Sequence, residues 1–417
     1  MKFEEYPIPQ EIKNSLEEAG LKRPTDIQFK CIQPILNKED VLAIAQTGTG
    51  KTAAFVIPVL TLLHESKHKN NNIKCLVMVP TRELAVQINE VFEKIGKYTK
   101  IKSFAIYGGV EQEAQIRQLS GRIDVLIATP GRMFDLAHQG YLSLENVEIL
   151  VLDEADHMLD LGFIKDIIDV KQKLTKKHQT LFFSATIDKK IKEIAYSLVR
   201  NAIRIQISPK DPVSKKIDHF VAFVEMDDKR FFLERIVKDN AQKKILAFVR
   251  TKVRAERLSA AMERAGIAAV TLHGDKEQED RLKVLNLFKQ GESKVLIATD
   301  VSARGIDISN VEIVVNYDLP EHPENYVHRI GRTGRGNDRG RAISFCSKEE
   351  LPLLETIEEY IGKEITVMEI SKQDYIETIE STEENNTDWK SLMKNVEDLD
   401  FDKNIQKGKH SKKEKII

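Results

Sequence analysis

Three cysteines in 417 residues, Cys31, Cys75 and Cys346, are too few and too scattered for a disulfide framework. With no CxxC spacing and no clustered histidines, they do not indicate a zinc site either. Charge of one sign is also missing: 64 Lys plus Arg stand against 65 Asp plus Glu, a formal net charge of -1. No chain-wide basic field therefore advertises nucleic-acid binding, and such a partner must be held by a local groove. Long apolar runs are absent too. The stretch from Phe55 to Leu63 is broken by Pro58 and Thr61 and falls well short of the ~20 residues that a bilayer span needs. The N-terminus carries Glu4 and Glu5 where a secretory signal carries positive charge, and it lacks the Arg-rich character of a transit peptide. A cytoplasmic chain without membrane association is expected. With 20 Gly and 12 Pro the composition is neither collagenous nor low-complexity, and 41% hydrophobic residues suffice for at least two cores.

Short aliphatic runs recur between helical patterns: 41–45, 75–79, 124–128, 149–153 and 180–184, then 219–224, 244–249, 268–272, 294–298 and 311–316. They are nearly continuous in apolar character, which predicts strands of a parallel sheet covered on both faces, in two α/β units. The pentapeptide VLIAT occurs at Val125 and again at Val295, an offset of 170 that also maps Thr81 onto Thr251. Tyr107-Gly108 and His273-Gly274 close strands at a nearly matching offset of 166. Several strand ends in one register favour a duplicated domain. Two prolines among charged and small residues in 208–216 read as a linker. The predicted boundaries are 1–207, a linker at 208–217, 218–370, and a charged, disordered tail at 371–417, acidic first and lysine-rich last.

The run VLAIA leads into Gln46-Thr47-Gly48-Thr49-Gly50-Lys51-Thr52 and then an apolar helix. Glycines at such a junction let backbone N–H groups and the helix N-terminus face an anion. Lys51 reaches the β/γ-phosphates of a nucleotide and the Thr52 hydroxyl can ligate Mg²⁺. Ala45 stands where the general pattern has Gly. Alone, this loop leaves a kinase, a switch and a motor open. Downstream, ILVLDEADHML delivers Asp153, Glu154 and Asp156 to the end of a strand, where ligands of open α/β sheets sit. Asp153 is placed to hold Mg²⁺, and Glu154 to polarise a water for attack on the γ-phosphate.

From Phe3 to about Ile370 the chain resembles the DEAD-box ATP-dependent RNA helicases. It shows, in order, PTDIQ ending at Gln28, AQTGTGKT, PTRELA, Gly108-Gly109, TPGR, DEAD, SAT, QEDR, ATDVSARGID and HRIGRTGR. The resemblance implies two tandem RecA-like parallel-sheet domains joined by a flexible linker, with ATP and Mg²⁺ as cofactors. Gln28 would read the adenine edge and Phe3 would support the adenine pocket, with Leu21 where the family has an aromatic. Thr47, Gly48, Thr49, Gly50, Lys51 and Thr52 would hold the phosphates. From the second unit, Gly305 and Asp307 would meet ribose and phosphate, and Arg332 and Arg335 would act as arginine fingers. Arg82, Gly109, Thr129, Arg132, Gly274, Arg281 and Thr299 would grip an RNA backbone with weak sequence preference. Asp156, Ser184, Thr186 and His328 would couple nucleotide and RNA sites. A monomer similar to the bacterial RhlE group is expected, acting on ribosomal precursors or with RNA-decay proteins. A DNA translocase and an ATP-gated RNA clamp are the competing readings.

Overall fold

Apolar residues at every position of a strand point alternately to the two faces of its sheet, so both faces must be covered. The computed structural model describes residues 2–45, 48–66, 72–186, 189–207, 213–214, 216–303, 308, 311–334 and 339–380. In the first unit the strands are β1 (Val41–Ala45), β2 (Cys75–Met78), β3 (Ser103–Ile106), β4 (Val125–Ala128), β5 (Ile149–Leu152), β6 (Gln179–Ser184) and β7 (Ile203–Ile207). They form one sheet in the order β3-β4-β2-β5-β6-β1-β7, with parallel pairings throughout. Val41, Ala43, Val77 and Phe183 pack into one core, while Leu42, Leu76, Met78 and Phe182 pack into another on the opposite face. Each of these side chains other than Ala43 contributes roughly 1.5–3 kcal/mol by burial.

The second unit repeats this plan with β8 (Ile217–Phe223), β9 (Ile245–Phe248), β10 (Ala269–Leu272), β11 (Val295–Ala298), β12 (Ile313–Asn316), β13 (Gly340–Cys346) and β14 (Thr366–Val367). Its order, β10-β11-β9-β12-β13-β8-β14, is that of the first sheet strand for strand. The repeated VLIA segments are β4 and β11, which occupy equivalent places. Thr81 and Thr251 also do the same job: each caps a helix, its hydroxyl accepting the N–H of Leu84 at 3.3 Å or of Arg254 at 3.2 Å. Among the described residues no helix is long and apolar enough to cross a membrane.

Two predicted boundaries need correction. Val213, within the expected linker, is buried in the second unit's core, and β8 starts at Ile217. The second unit also continues past Ile370 into a helix, Lys372–Glu380. Its Tyr375 hydroxyl donates to Asp228 at 2.7 Å and accepts the Glu225 N–H at 3.1 Å, and its ring lies 5.0 Å from that of Phe232. Burial, followed by the Asp228 charge, pushes this phenol well above its ordinary range. Residues 381–417, the rest of the predicted tail, lie outside the described residues. Truncation after Ile370 should therefore cost about 2 kcal/mol, through lost hydrogen bonds and an uncovered Phe232. A lowered thermal midpoint would show it, and an unchanged one would restore the boundary at Ile370.

Candidate functional site

Strand order decides which loops meet. Because β5, β6 and β1 are neighbours, their C-terminal ends place Asp153–Asp156, Ser184–Thr186 and the phosphate loop side by side. On the other half of the sheet, β3, β4 and β2 bring Gly108-Gly109, Thr129 and Thr81-Arg82 together. In the second unit β10, β11 and β9 align His273-Gly274, Thr299 and Arg250-Thr251 in the same way. One half-sheet thus presents phosphate-loop chemistry and the other presents Arg, Thr and Gly.

In the phosphate loop Gly48 and Gly50 adopt left-handed backbone, with φ of 79° and 91°. A side chain at Gly50 would in addition come within 2.6 Å of the Gln28 amide nitrogen. The helix Lys51–Glu65 begins here, its first N–H groups directed into the loop. Lys51 is buried, and its ammonium has no hydrogen-bond partner among the described residues. A desolvated cation left in this way is a strong demand for an anion. Thr52 is half-buried beside it, Thr49 is half-buried and Gly48 exposed, while Thr47 lies outside the described residues.

Gln28 is buried, donating from Nε2 to the Gly50 carbonyl at 3.1 Å and accepting the Thr25 N–H at 3.0 Å. The Thr25 hydroxyl donates to the Thr49 carbonyl at 2.8 Å. The Gln28 segment therefore braces the phosphate loop, and its amide retains one further N–H and one lone pair. Phe3 is buried in the first unit's core, 6.4 Å from the Tyr6 ring, and Leu21 is exposed.

Asp153 is 2% exposed and its Oδ1 accepts the Glu154 N–H at 3.0 Å. Burial pushes its carboxyl up to about 7, against the pull of Lys51 and with the push of Glu154 and Asp156. Glu154 has left-handed backbone, φ 50° and ψ 48°, a strain of ~1–3 kcal/mol for a non-glycine residue. Burial raises its pKa, but the close approach of the His157 ring and the charges of Lys51, His157 and Arg332 outweigh burial and hold it at about 2. Two adjacent carboxyls are thus driven apart: Glu154 stays ionised, while burial disfavours charge on Asp153. Asp156 accepts from the Ala185 N–H, the Thr186 N–H and the Thr186 hydroxyl at 3.1, 3.0 and 3.2 Å. The Ser184 hydroxyl donates to the Thr186 carbonyl at 2.7 Å, so these three residues form one network.

The second unit supplies the opposite wall. Arg332 is buried, with Nε donating to the His328 carbonyl at 3.3 Å, and its charge reaches Glu154. The helix before it, Pro323–Ile330, carries the half-buried His328 and is locked in place by Arg329. That guanidinium donates to both Asp300 oxygens at 2.6 and 2.8 Å, and to the Asp318 carbonyl at 2.6 Å. Arg335, Gly305 and Asp307 lie outside the described residues.

On the other half-sheets, the Arg82 guanidinium passes directly over Gly109, where an added Cβ would lie 1.9 Å from Nη1. Arg132 donates from Nη2 to the Val110 carbonyl at 3.0 Å, and its buried Nη1 has no partner among the described residues. Thr129 is buried at the start of the helix Pro130–His138, its N–H tied to the Ile106 carbonyl at 3.1 Å. Thr299 is half-buried and donates to the Ser302 hydroxyl at 3.3 Å, and Gly274 is exposed, with open space beside it. Arg281 has a partner within the chain. It is buried and its Nε donates to Glu83 of the first unit at 2.7 Å, with Gln278 donating to the same oxygen at 3.2 Å. It is an inter-unit strut, because a carboxylate buried to 2% exposure demands a cation.

Sequence reasoning passed over Glu83, Arg329 and His157. Glu83 stands between Arg82 and Leu84 in a recognisable motif, but its partner is 198 residues away.

Two family models match the chain: the DEAD/DEAH box helicase over residues 25–194 and the helicase conserved C-terminal domain over residues 228–337. The ATP-dependent RNA helicase CshA of Listeria monocytogenes is 41% identical over 362 residues, covering 87% of this chain and 69% of that protein. The ATP-dependent RNA helicase RhlB of Shewanella amazonensis is 40% identical, covering 88% and 85%. Among solved structures, S. cerevisiae Dbp5 bound to RNA and ADP BeF3 is similar, with a TM-score of 0.79 and 33% identity, covering 90% of this chain and 98% of that one.

Proposed function

This chain belongs to the DEAD/DEAH box helicase family, and we propose that it is an RNA-stimulated ATPase that separates RNA strands locally by closing its two units around ATP and RNA. The observation that carries this reading is that the two units meet directly, Arg281 of the second on Glu83 of the first at 2.7 Å, with the buried Arg332 charge acting on Glu154 across the same boundary. A hydrolytic site divided in this way works only when the units are together.

The residues do the following. The N-terminus of the helix Lys51–Glu65 and the unpartnered Lys51 ammonium receive the β- and γ-phosphates. Gln28 meets adenine with its remaining donor and acceptor. Glu154, kept ionised, orients the attacking water, and Arg332 neutralises charge developing on the γ-phosphate. The hard oxygen donors Asp153 and Thr52 fit Mg²⁺, and the carboxyl pushed up to about 7 at Asp153 marks a place where a cation is wanted. When bound, that ion neutralises phosphate charge and fixes phosphate geometry.

RNA lies along the strand-end loops of the other half-sheets, touched by Arg82, Arg132, Thr129, Thr299 and the open backbone at Gly109 and Gly274. Both ligands bridge both units, so each favours the closed arrangement and each strengthens binding of the other. Asp156, by holding Ala185 and Thr186, links the nucleotide loops to the cleft. A single strand held in a shape that a duplex cannot adopt releases its partner, and hydrolysis ends the clamp. Ribosomal precursors and RNA undergoing decay are the substrates we assign to this activity.

The test is displacement of a short labelled strand from an RNA duplex with ATP, compared with the same DNA duplex. Displacement of RNA alone supports the reading, and equal displacement of DNA would replace it with the translocase. Gly109→Ala offers a finer check. A left-handed φ of 76° and contact with Arg82 make any side chain there unwelcome. RNA affinity should fall about 10-fold as Arg82 is displaced, with ATP affinity unchanged; equal RNA affinity would show that Arg82 does not grip the strand.

A further inference from the structure

His157 follows the acidic tetrad directly. It is 5% exposed, its Nδ1 lies 3.5 Å from Glu154 Oε2, and both ring nitrogens are buried without a hydrogen-bond partner among the described residues. Leaving a buried polar group in that state costs about 1–3 kcal/mol, which a core residue of ordinary apolar type would not incur. The three-residue spacing on a helix turns the ring back over Glu154. Glu154 in turn sits in strained left-handed backbone, so its main chain alone does not favour the carboxylate position that hydrolysis needs. Lys51 and Arg332, from other elements, act on the same carboxylate as charges, whereas an imidazole N–H acts along a direction.

We propose that His157 is a positioning residue for ATP hydrolysis: its Nδ1–H holds Glu154 Oε2, which leaves Oε1 aimed at the attacking water. The inference rests on the reading of Glu154 as the water-orienting carboxylate. The 3.5 Å separation shortens to a hydrogen bond when nucleotide and RNA are in place, as catalytic contacts commonly do. Removing the hold misplaces a catalytic group without removing it, so turnover suffers while binding does not.

Four variants of the full chain decide the matter: His157→Ala, His157→Asn, His157→Gln and Glu154→Gln, with ATP turnover measured on saturating single-stranded oligouridine, KM for ATP, and thermal midpoints. The Asn amide nitrogen falls near the place of Nδ1, whereas that of Gln falls near Nε2. His157→Ala should lower kcat ~10- to 100-fold with KM for ATP unchanged. His157→Asn should recover most of the rate and His157→Gln should not. An unimpaired His157→Ala, or equal rates for the Asn and Gln variants, overturns the inference. If Glu154→Gln itself turns over ATP at the parental rate, it is the reading of Glu154 that fails; if Glu154→Gln is inactive while His157→Ala is unimpaired, the role of His157 alone is lost.

Discussion

Glu154→Gln should reduce ATP turnover by ~10²- to 10⁴-fold while leaving nucleotide affinity close to that of the parent. The substitution keeps the shape of the side chain and removes the negative charge that the surrounding cations hold ionised. Lys51, the phosphate loop and the Gln28 brace are untouched, and they make the contacts expected to set ATP affinity. A neutral amide also relieves the repulsion that Glu154 exerts on Asp153, so metal-dependent nucleotide binding should not weaken. RNA held with ATP should therefore persist longer in the variant, as closure is reached but not ended. Turnover measured by phosphate release, beside equilibrium binding of a fluorescent ATP analogue, checks both halves. Comparable turnover in variant and parent would remove Glu154 from the chemistry.

Arg332→Ala should abolish most RNA-stimulated turnover, by ~10³- to 10⁵-fold if the guanidinium serves as an arginine finger. The side chain is buried in the turn that follows the helix Pro323–Ile330, whose place is set independently by Arg329, so the loss should be chemical and not a collapse of the second unit. Arg332→Lys keeps a charge but loses the planar fork, and should recover only a small part of the rate. RNA affinity without nucleotide should be unaltered in both variants, because the strand-end loops of β2, β3, β4 and β11 do not contain Arg332. Thermal midpoints within a degree or two of the parent would exclude misfolding. Full RNA stimulation in Arg332→Ala would mean that the charge near Glu154 has no part in phosphoryl transfer.

Legibility in the sequence followed burial and locality. β1, with every residue buried, announced itself as an apolar run. β7, at the sheet edge with Ile203, Arg204 and Gln206 exposed, did not, nor did β14 with both residues exposed. The register of the duplication was readable because strand and cap recur at one offset, and the two sheet orders match accordingly. The phosphate loop and acidic tetrad were readable because their residues are consecutive. Pairings between distant segments were not: Arg281 meets Glu83 across 198 residues, and Tyr375 meets Asp228 across 147. In both cases the motif or composition marks the residue but says nothing of its partner: Arg281 pairs with a carboxylate of the other unit, and the start of the expected tail, Lys372–Glu380, is a docked helix. The left-handed backbone at Glu154 and the buried ring of His157 were equally beyond sequence reading, since both arise from how the helix after β5 is turned against its neighbours.

The central claim, that one hydrolytic site is divided between two units, is tested most directly by the ATPase activity of the first unit alone, residues 1–207. Its two cores are built from its own residues, so it should fold without the second unit. It retains Gln28, Lys51, Thr52, Asp153 and Glu154, and lacks Arg332 and the second half of the RNA groove. The account predicts that it binds ATP yet turns it over at a basal rate that saturating RNA does not raise, whereas the full chain responds strongly. RNA-stimulated turnover by the first unit at the rate of the whole protein would contradict it.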